Sequence, residues 1–169
     1  MIHRSEVIGD LIEKYGLGIG AEIGVGSGPT CRALMERFPT LKWIAVDNYP
    51  VGYPDGRGEP MTAERQESVR SVFSRLYLQY RPRLQYIDKP SAESASQIEN
   101  LSLDIVFIDD DHSYEGCMAS IKAWAPKIRP GGWLTGHDYC HAYPGVIRAV
   151  DEIVKDPILE SDSVWIKQL

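Results

Sequence analysis

Apolar residues along this chain alternate between two spacings. Near the N-terminus Val7, Ile8, Leu11, Ile12 and Tyr15 recur at helical spacing, with Glu6, Asp10, Glu13 and Lys14 between them. This is the pattern of an amphipathic helix, not the unbroken apolar run of a signal peptide. A short strand over residues 19–23 follows, then a glycine cluster, then a helix over 29–38. Pro29 suits the first turn of that helix, where its missing N–H costs nothing. A second strand over 43–46 ends at Asp47. Residues 48–60 are rich in Pro, Gly and Tyr and read as a long loop of the kind used as a lid. A helix over 62–80 carries Val69, Val72, Phe73, Leu76 and Tyr80 on one face, and Pro82 closes it.

The second half keeps the same rhythm. The pattern predicts a strand over 84–87, a short helix over 92–100 and a strand over 104–108. A helix over 114–125 has Cys117, Met118, Ile121 and Trp124 at helical spacing, with Asp111 or Ser113 as its cap. Pro126 ends it, and Arg129-Pro130-Gly131-Gly132 turns into a fifth strand at 133–135. A helix over 145–154 and a strand over 163–167 complete the chain. Five β–α alternations imply a mostly parallel sheet with helices on both faces and right-handed crossovers. The expectation is one three-layer α/β/α domain over 1–169, with no internal repeat.

Composition narrows the partners. At 169 residues and 43% apolar content the chain can bury a full core. A formal charge of −6 without a basic cluster speaks against nucleic acid. No apolar run approaches membrane-spanning length. Cys31, Cys117 and Cys140 are scattered and odd in number, which fits reduced thiols in a cytoplasmic protein.

Two constellations carry chemistry. The first is Gly24-x-Gly26-x-Gly28 between a strand and a helix, with Asp47 ending the next strand. Glycines let the backbone turn tightly and approach a ligand, and the carboxylate suits two ribose hydroxyls. The bland alternative is a loop that merely needs glycines. A dinucleotide site would place a third glycine inside the helix; here Pro29 follows Gly28, so a ligand without a pyrophosphate fits better than NAD. The second constellation is Asp109, Asp110, Asp111 and His112 at the end of one strand, with His137 and Asp138 at the end of another. If the strands are parallel neighbours, both clusters meet at the sheet edge where α/β folds bind ligands. Acid and imidazole groups there are candidates for metal binding and proton transfer.

Glu22-Ile23-Gly24-Val25-Gly26-Ser27-Gly28 resembles the first motif, E/D-x-G-x-G-x-G, of class I S-adenosylmethionine-dependent methyltransferases. The run from Phe107 to Gly116, with Pro130-Gly131-Gly132 and His137-Asp138-Tyr139, is similar to the macrocin-type O-methyltransferases and more distantly to the catechol type. The resemblance implies a Rossmann-like methyltransferase fold, with S-adenosylmethionine as donor and a hydroxylated small molecule as acceptor. It implies that Glu22, Gly24, Gly26, Gly28, Asp47 and Asp109 serve the cofactor. Residues 88–92 would border the adenine, Ser91 foremost. By position Asp109, His137 and Asp138 match the ligands of a divalent cation, Mg²⁺ or Mn²⁺. His112 falls where the catechol-type enzymes carry a base.

Each role has a plain structural counterpart. His137 could be a packed side chain bonded to a backbone carbonyl, and Asp109 a structural acid. Asp110 is expected to face solvent or the cofactor edge, outside the ligand set. The catechol-type pattern has Asp or Asn where His137 and Asp138 stand. Tyr49, Tyr53, Tyr139, His141 and Tyr143 are candidates to line the acceptor pocket. The family sheet ends in a strand–hairpin–strand unit, but only one strand is visible after residue 154, so the hairpin looks incomplete. An open edge of that kind points to a homodimer. Two other functions stay open: a protein that binds S-adenosylmethionine without transferring it, and an NAD-dependent oxidoreductase.

Overall fold

The computed structural model describes residues 2–52 and 60–169. The lid expected over 48–60 and Tyr53 therefore lie wholly or partly outside the described residues. The chain opens with α1 (Arg4–Tyr15), which Gly16 ends in the left-handed region at φ 63°. The strands are β1 (Ile19–Ile23), β2 (Lys42–Val46), β3 (Leu84–Ile87), β4 (Leu103–Ile108), β5 (Ile128–Gly136), β6 (Ile158–Leu159) and β7 (Trp165–Gln168). The helices between them are α2 (Pro29–Arg37), α3 (Ala63–Tyr80), α4 (Ser91–Ala95), α5 (Tyr114–Trp124) and α6 (Pro144–Ile153).

These strands form one sheet in the order β3-β2-β1-β4-β5-β7-β6. The first five are parallel, and β7 runs antiparallel between β5 and β6. The fold is the expected Rossmann-like one. β4 lies at its centre and all six of its residues are buried, as a strand covered on both faces requires. One face packs Ile8, Leu34 and Phe73 of α1, α2 and α3 against Trp43, Phe107 and Trp133. The other packs Ile121, Trp124 and Val150 of α5 and α6 against Ile23, Val106 and Leu134.

Three expectations are corrected. The terminal hairpin is present: β6 is only two residues long, too short to show an alternation, and it pairs with β7 through Ile158 and Ile166. The case for a partner strand to complete the sheet goes with it. The segment containing Pro130 and Gly131 is not a turn before β5 but part of it, since Ile128 already pairs with Leu103. The irregular register between Leu103 and Ile105 absorbs the extra residues. The helix expected over 92–100 is a single short one, Ser91–Ala95. Caps follow the sequence more closely: Ser113 Oγ accepts from the Gly116 N–H at 3.0 Å, and Asp111 accepts from the Ser113 N–H at 2.8 Å just before it. No helix among the described residues is long and apolar enough to cross a membrane.

Candidate active site

The C-terminal ends of β1, β2 and β4 open onto a cavity of about 550 Å³ lined by Gly24, Gly26, Asp47, Ser91, Asp109 and His112, among others. Its floor is the glycine turn. Gly24 has φ 86°, and a Cβ there would run into the backbone of Asp109 and Asp110. Only glycine lets the ends of β1 and β4 approach this closely. The Gly24 N–H donates to Val46 O at 2.8 Å, tying the turn to β2. Gly28 caps α2 at φ 84°, and a Cβ on it would meet Leu76 and Phe73 of α3 at 2.7 and 2.9 Å. Gly28 is thus a packing residue beneath the turn.

Asp47 is fixed from two sides. Its carboxylate accepts from the Gly26 N–H and the Tyr49 N–H, both at 2.8 Å. Burial raises its pKa, and those two N–H groups partly offset the rise. Tyr49 is buried, and its hydroxyl donates to Gly26 O at 2.8 Å. It braces the glycine turn from below while still edging the cavity.

The opposite wall is a chain of hydrogen bonds from β4, α4 and α5. Trp124 Nε1 donates to Ser91 Oγ at 3.0 Å, Ser91 and Ser120 are 2.8 Å apart, and Ser120 Oγ donates to Asp110 Oδ2 at 2.6 Å. Of its two expected placements, solvent or the edge of the cofactor cleft, Asp110 takes the second and lines the cavity. Burial pushes its carboxyl up to about 6 against the lowering effect of Ser120. Glu22, by contrast, lies behind the turn on the α1 side. It is 2% exposed and outside the cavity lining, and among the described residues Oε2 has no hydrogen-bond partner. Burial, then the charge of Asp109, raises its pKa to about 8.

At the far end of the cavity, β4 and β5 pair in parallel from Ile105 to Ile108. That register brings together the two clusters that are 28 residues apart in sequence (137 − 109). His112 Nε2 is 2.7 Å from Asp138 Oδ2 and 4.0 Å from Asp109 Oδ1. His137 Nδ1 is 3.1 Å from Asp138 Oδ1 and 3.4 Å from Asp109 Oδ1. His137 is thus aimed into the cluster, not at a backbone carbonyl. Asp138 adopts φ 60°, a conformation that Asp tolerates better than most residues. Burial alone would lower both imidazoles, but hydrogen bonds to Asp109 and Asp138 more than reverse this and raise each to about 9. Burial would raise Asp138, and the two histidines instead hold it well below the usual carboxylate range.

The ligand atoms of Asp109, His137 and Asp138 all lie within 4.8 Å of one another. Around them stand residues that the sequence did not single out. Arg4, at the start of α1, reaches Asp109 at 3.6 Å and His137 at 3.4 Å. Asp162, in the turn before β7, accepts from the Arg4 N–H at 2.9 Å and lies 3.9 Å from His137 Nε2. A charged residue at the edge of an amphipathic helix or in a turn looks solvated in sequence, so neither had a signal. Of the acceptor-side candidates, Tyr143 packs against His112 with the rings tilted by 39° and their centroids 4.4 Å apart. Tyr139 instead donates outward to Asp151 at 2.8 Å, and His141 is exposed.

Comparison with known proteins agrees with this architecture. A family model described as a methyltransferase domain, methyltransferase family 24, matches residues 21–139. The chain belongs to that family, and its fold is that of class I S-adenosylmethionine-dependent methyltransferases. No curated protein matches it. Among solved structures, the O-methyltransferase NovP is similar with a TM-score of 0.72 at 19% identity, covering 98% of this chain and 78% of that one. CalS11, a TDP-rhamnose 3′-O-methyltransferase of calicheamicin biosynthesis, gives 0.68 at 13%, covering 96% and 77%. The methyltransferase PaMTH1 of Podospora anserina, solved with S-adenosylhomocysteine, gives 0.70 at 13%, covering 99% and 79%.

Proposed function

We propose that this protein transfers a methyl group from S-adenosylmethionine to a hydroxyl of a small molecule. The observation that carries the reading is the single cavity running from Asp47 and Ser91 at one end to Asp109 and His112 at the other. It has the two ends that such a reaction needs: a polar frame for a nucleoside, and a proton acceptor where the nucleophile must stand. The glycine spacing and the family match favour this donor over NAD.

The donor supplies an electrophilic methyl group on a sulfonium and leaves as a thioether. The protein's own part is to hold and deprotonate. Gly24 and Gly26 let the donor lie against the backbone, Asp47 holds its ribose hydroxyls, and Ser91 borders its adenine. Glu22 backs the turn from behind, and Gly28 fixes its exit into α2. His112 takes the acceptor's hydroxyl proton on an imidazole nitrogen, and Tyr143 holds the ring in place.

Asp109, His137 and Asp138 fit a divalent cation, Mg²⁺ or Mn²⁺. Two carboxylates and one imidazole converge there, and each side chain is at most 14% exposed. A nitrogen ligand favours Mn²⁺ over Mg²⁺. When bound, the ion would polarise the acceptor oxygen and lower its pKa. Asp109 and Asp138 raise the His112 pKa to about 9, and an ion engaging those carboxylates would lower it again, towards the range of a base at neutral pH.

Calorimetry with S-adenosylhomocysteine and turnover on a panel of hydroxylated acceptors test this. Binding of the donor product, with turnover abolished by a chelator and restored by Mn²⁺, is expected. No binding overturns the reading. Binding without turnover on any acceptor, and no effect of His112→Ala, would favour a protein that binds the donor without transferring it.

A further inference from the structure

We infer that Arg4 is the anchor for the carboxylate at the amino-acid end of the methyl donor. This rests on the donor reading above. The backbone of Arg4 is fixed by its N–H to Asp162 at 2.9 Å, so the side chain starts from a set position. From there the guanidinium touches three elements at once: Thr30 Oγ1 at 3.4 Å, Asp109 Oδ2 at 3.6 Å and His137 Nε2 at 3.4 Å. All three distances are long for hydrogen bonds to a guanidinium. Its Nη2 has no partner among the described residues, and the side chain is 25% exposed. Here is a permanent charge, planar and able to bind a carboxylate through two N–H groups, held in place but unsaturated.

Its location selects the ligand group. With the ribose at Asp47 and the adenine at Ser91, the rest of the donor must cross Gly24 and Gly26 towards Asp109. Thr30 stands in the first turn of the helix that follows those glycines, and Asp109 ends β4 beside them. Arg4 spans these two residues. Among the described residues it is the sole arginine or lysine ion-paired at that end; Lys89, the lysine in the cavity lining, lies at the other end and pairs with Glu93. A donor whose tail carries a carboxylate meets its complementary charge there. An acceptor approaching from the side of His112 and Tyr143 would meet the carboxylates of Asp109 and Asp138 first.

The test compares S-adenosylmethionine with its decarboxylated analogue by calorimetry, without acceptor, on the full chain. Arg4→Ala and Arg4→Gln should each weaken S-adenosylmethionine by about 10-fold or more. Both should leave the decarboxylated analogue within about twofold, and Arg4→Lys should recover part of the loss. Val7, Ile8, Leu11 and Ile12 keep α1 packed in these variants, which an unchanged melting temperature verifies. Equal weakening of both ligands would overturn the assignment, because Arg4 would then act only by placing Asp109. Unchanged binding of both, with a raised KM for an anionic acceptor, would also overturn it. If the wild-type chain binds neither ligand, it is the donor reading itself that fails.

Discussion

The two ends of the cavity are built by different means. At the Asp47 end, backbone N–H groups do the positioning: Gly26 in the turn after β1 and Tyr49 just past β2 aim the carboxylate. At the Asp109 end, side chains from α1, β4, β5 and the turn before β7 hold one another by charge. The first end is a frame that exists once β1 and β2 pair. The second exists only after the first and last parts of the chain have met. A frame of backbone hydrogen bonds is suited to a ligand whose shape is fixed. A cluster of mutually compensating charges is suited to chemistry, because adding or removing one charge shifts every other pKa in it.

The largest expected effect breaks the frame. Gly24→Val puts a branched side chain at φ 86° and against the Asp109 backbone, which should cost at least about 3 kcal/mol of stability and abolish donor binding. Urea denaturation and calorimetry would read both. If donor binding survives, the close approach of β1 and β4 is not what the glycine is for.

Next is a separation of the two ends. His112→Ala should lower turnover by roughly 10²- to 10⁴-fold while donor affinity changes little, measured by single-turnover methyl transfer and calorimetry. Equal losses in both would show that the charge cluster also builds the donor site.

A smaller effect concerns Glu22, which lies buried behind the turn. Its folded pKa, about 8, is above the unfolded value of 4.5. Between these values the folded state holds a proton that the unfolded state has lost. Stability should therefore be highest near and below pH 4.5 as far as this group is concerned, and fall as pH rises towards about 8. The slope from this residue is at most about 1.4 kcal/mol per pH unit. Denaturation curves at pH 5.5 and 7.5 should differ less in Glu22→Gln than in the wild type; the difference that remains comes from His112 and His137, whose raised pKa values also make stability fall as pH rises above about 6.5. A wild-type stability that rises over that interval would show that the carboxylate is ionised in the fold.

The smallest effect is at the cavity wall. Ser120→Ala removes the donor to Asp110 and one link to Ser91, and should cost about 1 to 2 kcal/mol. A larger loss of affinity for the adenine part than of stability would mark the wall as a recognition surface.

The same division governs what could be read from the residues. The glycine turn was legible because its backbone demands are local: φ values of 86°, 53° and 84° at Gly24, Gly26 and Gly28 leave few other choices. Ser113 was legible as a cap for the same reason. β6 was not, since two exposed residues have no period. Nor was the start of β5, because Pro130 and Gly131 resemble a turn until Leu103 supplies the pairing partner. The direction of Asp110 depended on Ser120 in another element.

The sequence by itself determined the order of strands and helices as far as α6, the covered sheet, the glycine floor, and which acids and histidines would end β4 and β5. These follow from spacing and from backbone demands that act over a few residues. The tertiary structure alone decided that Arg4 and Asp162 join that cluster, that Glu22 stands behind the turn, and that His137 points at carboxylates. Those outcomes depend on which distant charges share a small, poorly solvated space, and sequence spacing says nothing about that.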